Sequence, residues 1–223
     1  MRKMLRRIMK KLGYELWPKG TIPLTTRQID NVRYLTRIYN LIESVNGSVV
    51  ECGVGKGRTY LIFAQFIIKE GRRRVLYGYD SFEGFPEPSV HDTSKRNPKM
   101  GEWSGTSPED IRVALKAAGI NHDFIQGQSK LIPGFFEETL NTYDGGPIAL
   151  LHIDADLYDS YREALTRLVP EVADNGVILF DEYGTEKWPG ATRAVDEFMA
   201  QTSWRLQRDD ESGKYFFVKT RTL

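Results

Sequence analysis

The sequence predicts an α/β protein in which a mostly parallel sheet is covered by helices on both faces. Five short β-rich runs alternate with helical stretches after residue 45. These runs are apolar throughout, which is typical of parallel strands buried on both sides. The chain ends differently, since residues 215–218 follow the turn-forming sequence at 209–213. That pair predicts an antiparallel hairpin at one edge of the sheet.

The elements follow in order along the chain. A helix is predicted over residues 26–44, where five apolar side chains recur at helical spacing: Ile29, Val32, Leu35, Ile38 and Ile42. The predicted strands are 48–52, 75–79, 123–126, 148–153 and 176–180. The other predicted helices are 59–69, 108–118, 131–140, 160–168 and 191–201, and residues 203–207 pair with 215–218 in the hairpin. Residues 81–107 form a long polar loop, which at this length is typical of a functional lid or a mobile segment.

Length and composition bound the class of protein. A chain of 223 residues suits one compact domain. Cys52 is the single cysteine, so an internal disulfide and a cysteine-cluster metal site are excluded, and we interpret it as a small buried residue. There is no apolar run of about 18 residues and no signal-peptide pattern. We therefore expect a cytoplasmic protein.

The amino-terminal segment is strongly basic. Six of the 31 Lys and Arg residues precede any acidic residue, which leaves 25 basic against 30 acidic residues. Apolar residues lie between them at helical spacing, which predicts an amphipathic basic helix. It either lies on an anionic membrane surface or packs on the domain or a second subunit of a homodimer. We divide the chain into a helical extension, residues 1–45, and a main domain, residues 46–223. No basic patch interleaved with aromatic residues follows, so nucleic-acid binding is not expected.

Polar residues follow every predicted parallel strand, where ligands of open parallel sheets bind. The first strand leads into Gly53, Gly55 and Gly57, spaced G-x-G-x-G. Glycine lets the backbone turn sharply and approach a ligand closely, although a purely structural tight turn has the same pattern. Asp80 follows the second strand and is suited to accept hydrogen bonds from ribose hydroxyls. The spacing differs from that of dinucleotide-binding folds, so we favour a nucleoside ligand without a diphosphate.

Several ordered motifs resemble the macrocin O-methyltransferase family of class I S-adenosylmethionine (SAM)-dependent enzymes. They are VVECGVGKGRT from Val49, YGYDSFEGFP from Tyr77, LLHIDADLYDSYREAL from Leu150, and GVILFDEYG from Gly176 followed by PGATRAVDEF. The resemblance covers about residues 46–198. It implies a Rossmann-like class I methyltransferase fold, with a seven-stranded sheet whose last strand is reversed. It also implies methylation of a sugar hydroxyl on a small-molecule or glycan acceptor.

The resemblance further implies which residues hold SAM. The glycine loop would wrap the methionyl part, and Asp80 would hold the ribose. The predicted cofactor-binding residues are Glu51, Gly53, Gly55, Gly57, Thr59, Asp80, Ser81, Phe82, Gly127, Ser129 and Asp154. The resemblance places Gly127 and Ser129, beside which the third predicted strand ends, near the adenine.

Four carboxylates, those of Asp154, Asp156, Asp181 and Glu182, follow two neighbouring strands. Unpaired negative charge of this density is costly in apolar surroundings, and a divalent cation such as Mg²⁺ would neutralise it. The resemblance places the metal ligands on Asp154, Asp181 and Glu182 and makes Asp154 the general base. Relatives commonly carry two consecutive Asp residues where this chain has Asp181 and Glu182.

Other interpretations of single residues stay open. Asp156 and Asp159 are also suited to cap the helix that follows them. His152 is either a core residue or a base, and His91 lies in the long loop within reach of an acceptor. Trp103, Trp188 and Tyr183 either stack on a sugar or pack locally.

The leading functional hypothesis is a metal-assisted, SAM-dependent O-methyltransferase acting on a sugar of a glycan, glycolipid or glycosylated metabolite. The alternatives are a catechol-type small-molecule O-methyltransferase and a catalytically inactive cofactor-binding partner protein. A nicotinamide oxidoreductase is disfavoured because the glycine spacing differs.

Overall fold

The computed structural model describes Met4 and residues 25–220. Its sheet has seven strands: β1 (Ser48–Cys52), β2 (Leu76–Asp80), β3 (Ser129–Pro133), β4 (Ile148–Ile153), β5 (Val172–Phe180), β6 (Gln207–Arg208) and β7 (Tyr215–Val218). Their order is β3-β2-β1-β4-β5-β7-β6. The pairs among β1 to β5 are parallel, and β7 runs antiparallel to both β5 and β6. The predicted sheet with its antiparallel carboxy-terminal hairpin is therefore confirmed.

The helices are α1 (Thr26–Asn40), α2 (Arg58–Glu70), α3 (Pro108–Ala117), α4 (His122–Gly127), α5 (Phe136–Thr139), α6 (Tyr158–Leu168) and α7 (Pro189–Met199). Short 3-10 turns lie at Val90–Asp92 and Leu140–Thr142. Residues of α1 to α4 contribute to the apolar core on one face of the sheet, and those of α6 and α7 to the core on the other. Successive strand residues such as Val49 and Val50 face opposite cores, which explains why the strands are apolar throughout.

Local signals set the helix ends. Thr25 and Gln28 form a reciprocal capping box at the start of α1. Helix α2 has left-handed glycines at both ends, Gly57 and Gly71. The buried side chains of α1, among them Leu35 and Ile38, join the same core as strand residues.

One strand prediction is wrong. Residues 123–126 lie in helix α4, which Asn121 caps by accepting a hydrogen bond from the Phe124 amide at 2.8 Å. The third strand begins only at Ser129 and takes the start of the predicted helix 131–140. Asn followed by an acidic residue in the first turn is a helix-start signal that the apolar pair Phe124 and Ile125 obscured.

Apart from Met4, the predicted basic helix lies outside the described residues. Membrane contact, a homodimer and the 45/46 domain boundary stay predictions. Within the described part of the chain, no helix is long and apolar enough to cross a bilayer.

Candidate active site

The loop after β1 and the end of β4 are in direct contact through Gly53. Gly53 has φ +94°, and a Cβ there would lie 1.8 Å from the Asp154 carbonyl oxygen. The Asp154 amide donates to the Cys52 carbonyl at 2.9 Å, and the Gly53 amide donates to the Tyr79 carbonyl at 2.8 Å. Only glycine fits this approach. Gly53 thereby sets Asp154 directly against the glycine loop.

Asp80 joins the loops that follow β1 and β2. Its Oδ2 accepts a hydrogen bond from the Gly55 amide and its Oδ1 from the Phe82 amide, both at 2.7 Å. Beside it, the Ser81 hydroxyl donates to the Gly84 carbonyl at 2.7 Å. Each Asp80 oxygen keeps a second lone pair, so the carboxylate is fixed in place and still able to accept a hydrogen bond from a ligand.

A cavity of about 1070 Å³ opens at the carboxyl ends of the parallel strands. This exceeds the volume of most single-ligand pockets, so it has room for two ligands side by side. Eight of the predicted site residues line it: Glu51, Gly53, Gly55, Thr59, Asp80, Ser81, Asp154 and Asp181. Gly57, Phe82 and Glu182 are not on the cavity wall, and Gly57 instead precedes helix α2.

Gly127 and Ser129 are not brought to this cavity. Ser129 is paired with Leu76 at the start of β2, whereas Asp80 at its end is paired with Pro133. Ser129 therefore lies at the amino-terminal end of β3. At 3.3 Å per residue, this is roughly 13 Å from the carboxyl end of the strand, where the cavity opens. Its hydroxyl contacts the Tyr60 hydroxyl there, at 2.8 Å. The structure therefore does not bring Gly127 and Ser129, the residues assigned to the adenine, to the cavity, because the third strand begins later than predicted. The residues after β3 that do line the cavity are Phe135, Phe136 and Glu137.

Three carboxyl groups meet at the ends of β4 and β5. Oxygens of Asp154, Asp156 and Glu182 all lie within 4.8 Å of one another. Burial first, and then the charge of Asp181, raises the pKa of Asp154 to about 7. Burial and the charge of Asp154 raise the pKa of Asp156 to about 8, and the same causes raise that of Glu182 well above its usual range. The chemistry of this donor set fits a hard divalent cation, which would relieve the mutual repulsion.

Asp181 departs from the predicted ligand set. Its carboxylate contacts the Lys214 ammonium from the hairpin, and Asp181 does not belong to the converging group of Asp154, Asp156 and Glu182. Burial pushes the pKa of Asp181 upward, but Lys214 outweighs it and the net shift is downward. In this geometry Asp156, not Asp181, completes the triad with Asp154 and Glu182. Lys214 gave no local signal in the sequence, because only the pairing of β7 with β5 brings it to Asp181.

Asp156 does not cap helix α6. It has a left-handed backbone with φ +60°, and α6 has no side-chain cap from its own N-cap residue, Leu157. Asp92 of the long loop instead accepts a hydrogen bond from the Tyr158 amide at 2.8 Å. The buried Asp92 was missed because it lies 66 residues away in sequence.

Glu51 and His152 form a buried pair behind the glycine loop. His152 Nδ1 lies 3.2 Å from Glu51 Oε1, while Glu51 Oε2 is buried without a hydrogen-bond partner among the described residues. Burial lowers the pKa of His152 to about 4, so the imidazole is neutral at physiological pH. Burial and then Asp154 raise the pKa of Glu51 well above its usual range. His152 is thus a core residue, and Glu51 offers an unsatisfied oxygen beside the cavity.

The long loop 81–107 is held by specific contacts. The Phe85 amide donates to the Glu102 carbonyl at 3.0 Å, and Arg96 pairs with Glu102 at 2.5 Å. His91 packs on the Tyr158 ring, with centroids 4.4 Å apart.

The three aromatic candidates differ in surroundings. Tyr183 packs locally and donates to Asp196 at 2.7 Å. Trp188 is buried, with 5% of its surface exposed, and Trp103 is 58% exposed and lines the cavity. Local packing therefore accounts for Tyr183 and Trp188, but leaves Trp103 unexplained.

Comparisons with known proteins agree with this architecture. The family model described as macrocin-O-methyltransferase (TylF) matches residues 9–216. The chain is 28% identical over 176 residues to the 8-demethyl-8-(2,3-dimethoxy-alpha-L-rhamnosyl)-tetracenomycin-C 4'-O-methyltransferase of Streptomyces olivaceus, covering 76% of this chain and 66% of that protein. It is 28% identical to the demethyldecarbamoylnovobiocin O-methyltransferase of Streptomyces niveus, covering 83% and 70%. The crystal structure of the calicheamicin methyltransferase CalS11 superposes with a TM-score of 0.80 at 24% identity, over 97% of this chain and 91% of that one. At that identity the likeness supports the fold alone.

Proposed function

The chain belongs to the macrocin-O-methyltransferase (TylF) family, and on that premise we propose that it transfers a methyl group from SAM to a hydroxyl of a sugar in a glycan, glycolipid or glycosylated metabolite. The observation that carries the proposal is the position of Asp154. This carboxylate lies in the cavity at the point where the Gly53 loop meets a cluster of acids. The two Streptomyces relatives are O-methyltransferases by name, one of them for a rhamnosyl compound.

We assign the cofactor to the part of the cavity formed by the loops after β1 and β2. Gly55 leaves the backbone open to a ligand, since a Cβ there would have no heavy atom within 4 Å, and Asp80 presents its remaining lone pairs to ribose hydroxyls. The unpartnered Glu51 Oε2 lies behind this loop and is able to accept a hydrogen bond. Thr59 and Ser81 complete this part of the wall.

Asp154 is the proposed general base. When bound, SAM supplies an activated methyl carbon with a neutral thioether as leaving group. The Asp154 carboxylate accepts the proton of the acceptor hydroxyl as its oxygen attacks. A pKa of about 7 suits this role, since a base is most effective when its pKa lies near the working pH. The fixed contact of Asp154 with the Gly53 loop holds the base beside the cofactor and limits the geometries of attack.

A divalent cation, when bound, would supply positive charge that favours ionisation of the acceptor hydroxyl. Asp154, Asp156 and Glu182 are the residues placed to hold it. Tyr161 donates a 2.5 Å hydrogen bond to Glu182 Oε2, which orients that carboxylate within the group.

The first test is calorimetric titration of the protein with SAM, with magnesium or with chelator, and with NAD as a control ligand. We expect micromolar SAM binding and none of NAD. The absence of a heat of binding with SAM, in a protein shown to be folded, would overturn the proposal.

The second test is methyl transfer to a panel of sugar glycosides, read by mass spectrometry. Asp154→Asn should lower kcat at least 100-fold without preventing folding. Asp144→Asn is the matched control, because Asp144 is an exposed acid whose contact is with Lys130. Equal activity of Asp154→Asn and wild type would contradict the assignment of Asp154 as general base. Full activity in chelator would show that the reaction does not need a metal ion.

One observation favours a second candidate function. The Asp181 carboxylate, one of the predicted metal ligands, is paired with the Lys214 ammonium and is therefore not free to bind a metal ion. This is expected of a cofactor-binding partner protein that no longer catalyses a reaction. Tight SAM binding without turnover of any glycoside or catechol would support that candidate instead.

A further inference from the structure

Trp103 is a large aromatic side chain left exposed on the cavity wall. Its exposed fraction of 58% stands against 5% for Trp188 beside it. Its backbone has φ +66°, a left-handed conformation that non-glycine residues rarely adopt. An exposed indole on a strained backbone is unfavourable to the fold, and such outliers are common at ligand-binding sites. Packing alone therefore does not account for the residue.

The indole is held on a rigid base. Its ring centroid lies 5.0 Å from that of Phe85 and 5.7 Å from that of Trp188. The Arg96 guanidinium carbon and the Lys187 ammonium lie 5.2 Å and 5.7 Å from its centroid, within cation–π range. The Ser94 hydroxyl donates to the Lys187 carbonyl at 3.0 Å, which ties the loop to the segment before α7. Trp103 is thus positioned before any ligand arrives.

The indole and the acids proposed to act in the reaction border the same cavity. Trp103, Asp154 and Asp156 all lie on its wall. Trp103, on the loop that follows β2, therefore borders the space in which an acceptor would meet Asp154.

From this arrangement we infer that Trp103 is the platform on which the sugar ring of the acceptor stacks, so that it determines which sugars are accepted. The inference rests on the proposed function and deepens it. One face of a pyranose ring carries C–H groups that pack on the electron-rich face of an indole. Its hydroxyl groups point outward from the ring edge, where Glu87 and Glu102 also line the cavity. Glu87 is exposed and has no ion-pair partner among the described residues, so its carboxylate is available to accept from a sugar hydroxyl.

The test compares three variants with wild type. Trp103→Ala removes the platform, Trp103→Phe keeps a smaller one, and Trp204→Phe is the control. Trp204 stacks on Phe217 and donates to the Thr220 carbonyl at 2.9 Å, and it does not line the cavity. For the glycoside that wild type methylates best, we expect Trp103→Ala to raise KM about tenfold or more. The kcat should change less than threefold and the SAM Kd should not change, while Trp103→Phe should be intermediate.

A binding experiment separates this inference from the proposed function. Methyl α-L-rhamnopyranoside and thymidine diphosphate are added separately to the SAM-saturated protein, and tryptophan fluorescence is recorded. We expect the glycoside to change the fluorescence of wild type and of Trp204→Phe but not of Trp103→Phe. If wild type methylates sugars and Trp103→Ala retains its KM, the stacking inference fails and the function stands. If wild type binds SAM yet neither binds nor methylates a glycoside, both fail. If thymidine diphosphate, and not the glycoside, changes the fluorescence in a way that depends on Trp103, the indole stacks on a nucleobase instead of a sugar and the inference is overturned.

Discussion

Gly53 is the position at which a single methyl group should do the most damage. In Gly53→Ala the added Cβ would lie 1.8 Å from the Asp154 carbonyl oxygen and 2.7 Å from its carbon. Real Cβ atoms do not approach backbone closer than about 3 Å, so the loop and the end of β4 must separate by more than an ångström. The amides of Gly53 and Asp154 are both engaged in hydrogen bonds that resist this movement.

The expected loss of stability follows from these contacts. A non-glycine residue at positive φ costs about 1–2 kcal/mol. Weakening the hydrogen bond that the Asp154 amide donates to the Cys52 carbonyl adds about 1 kcal/mol, and the remaining backbone displacement brings the total to roughly 3 kcal/mol or more. For a protein of this length, each kcal/mol lowers Tm by about 2–4 °C, so we expect a fall of about 6–12 °C.

Gly55→Ala is the matched control. Gly55 also has positive φ, +52°, but a Cβ there would have no heavy atom within 4 Å. The cost should be about 1 kcal/mol and is partly offset by the lower entropy of the unfolded chain. Thermal unfolding and calorimetric SAM titration of both variants provide the measurement. Equal Tm shifts for the two, or unchanged SAM binding in Gly53→Ala, would refute the reasoning that close approach at Gly53 builds the site.

Three further outcomes are expected. In chelator, urea unfolding should show that the free energy of unfolding falls as pH rises from about 4 to about 8. Burial raises the pKa of Asp156 to about 8, so the folded state keeps a proton that the unfolded chain releases near pH 4. Asp156→Asn should flatten that slope, and an unchanged slope would contradict the assignment. Lys214→Met should tighten magnesium binding about tenfold in calorimetry, because the Asp181 carboxylate loses its ion-pair partner and adds its negative charge to the triad of Asp154, Asp156 and Glu182. Weaker magnesium binding would show that the Lys214 ammonium is needed at this site. Arg37→Ala should cost about 1–2 kcal/mol because three hydrogen bonds from α1 to the hairpin are lost, while Arg33→Ala, at a more exposed pair, should change Tm little; similar shifts would contradict this.

Several predicted site residues that the structure places on the cavity wall lie at or directly after the ends of apolar strands. Glu51, Asp80 and Asp154 each end or follow a strand whose apolar run is unambiguous, and the parallel sheet brings such ends to one edge. The strand prediction failed just before Gly127 and Ser129, where the short apolar pair Phe124 and Ile125 fits a helix as well as a strand. The helix α4 forms instead of a strand because Asn121 caps it and the side chains of Phe124 and Ile125 both pack in the core.

The sequence by itself determined the alternation of strands and helices, the glycine loop and the carboxylates at the strand ends, because these depend on neighbours within a few residues. Only the tertiary structure decided the charge pairing and the composition of the acidic triad. Lys214 reaches Asp181 across 33 residues and Asp92 reaches Tyr158 across 66, so neither contact has a local signature. Which acids converge depends on strand register and on the left-handed backbone at Asp156, and both are set by packing of the whole sheet.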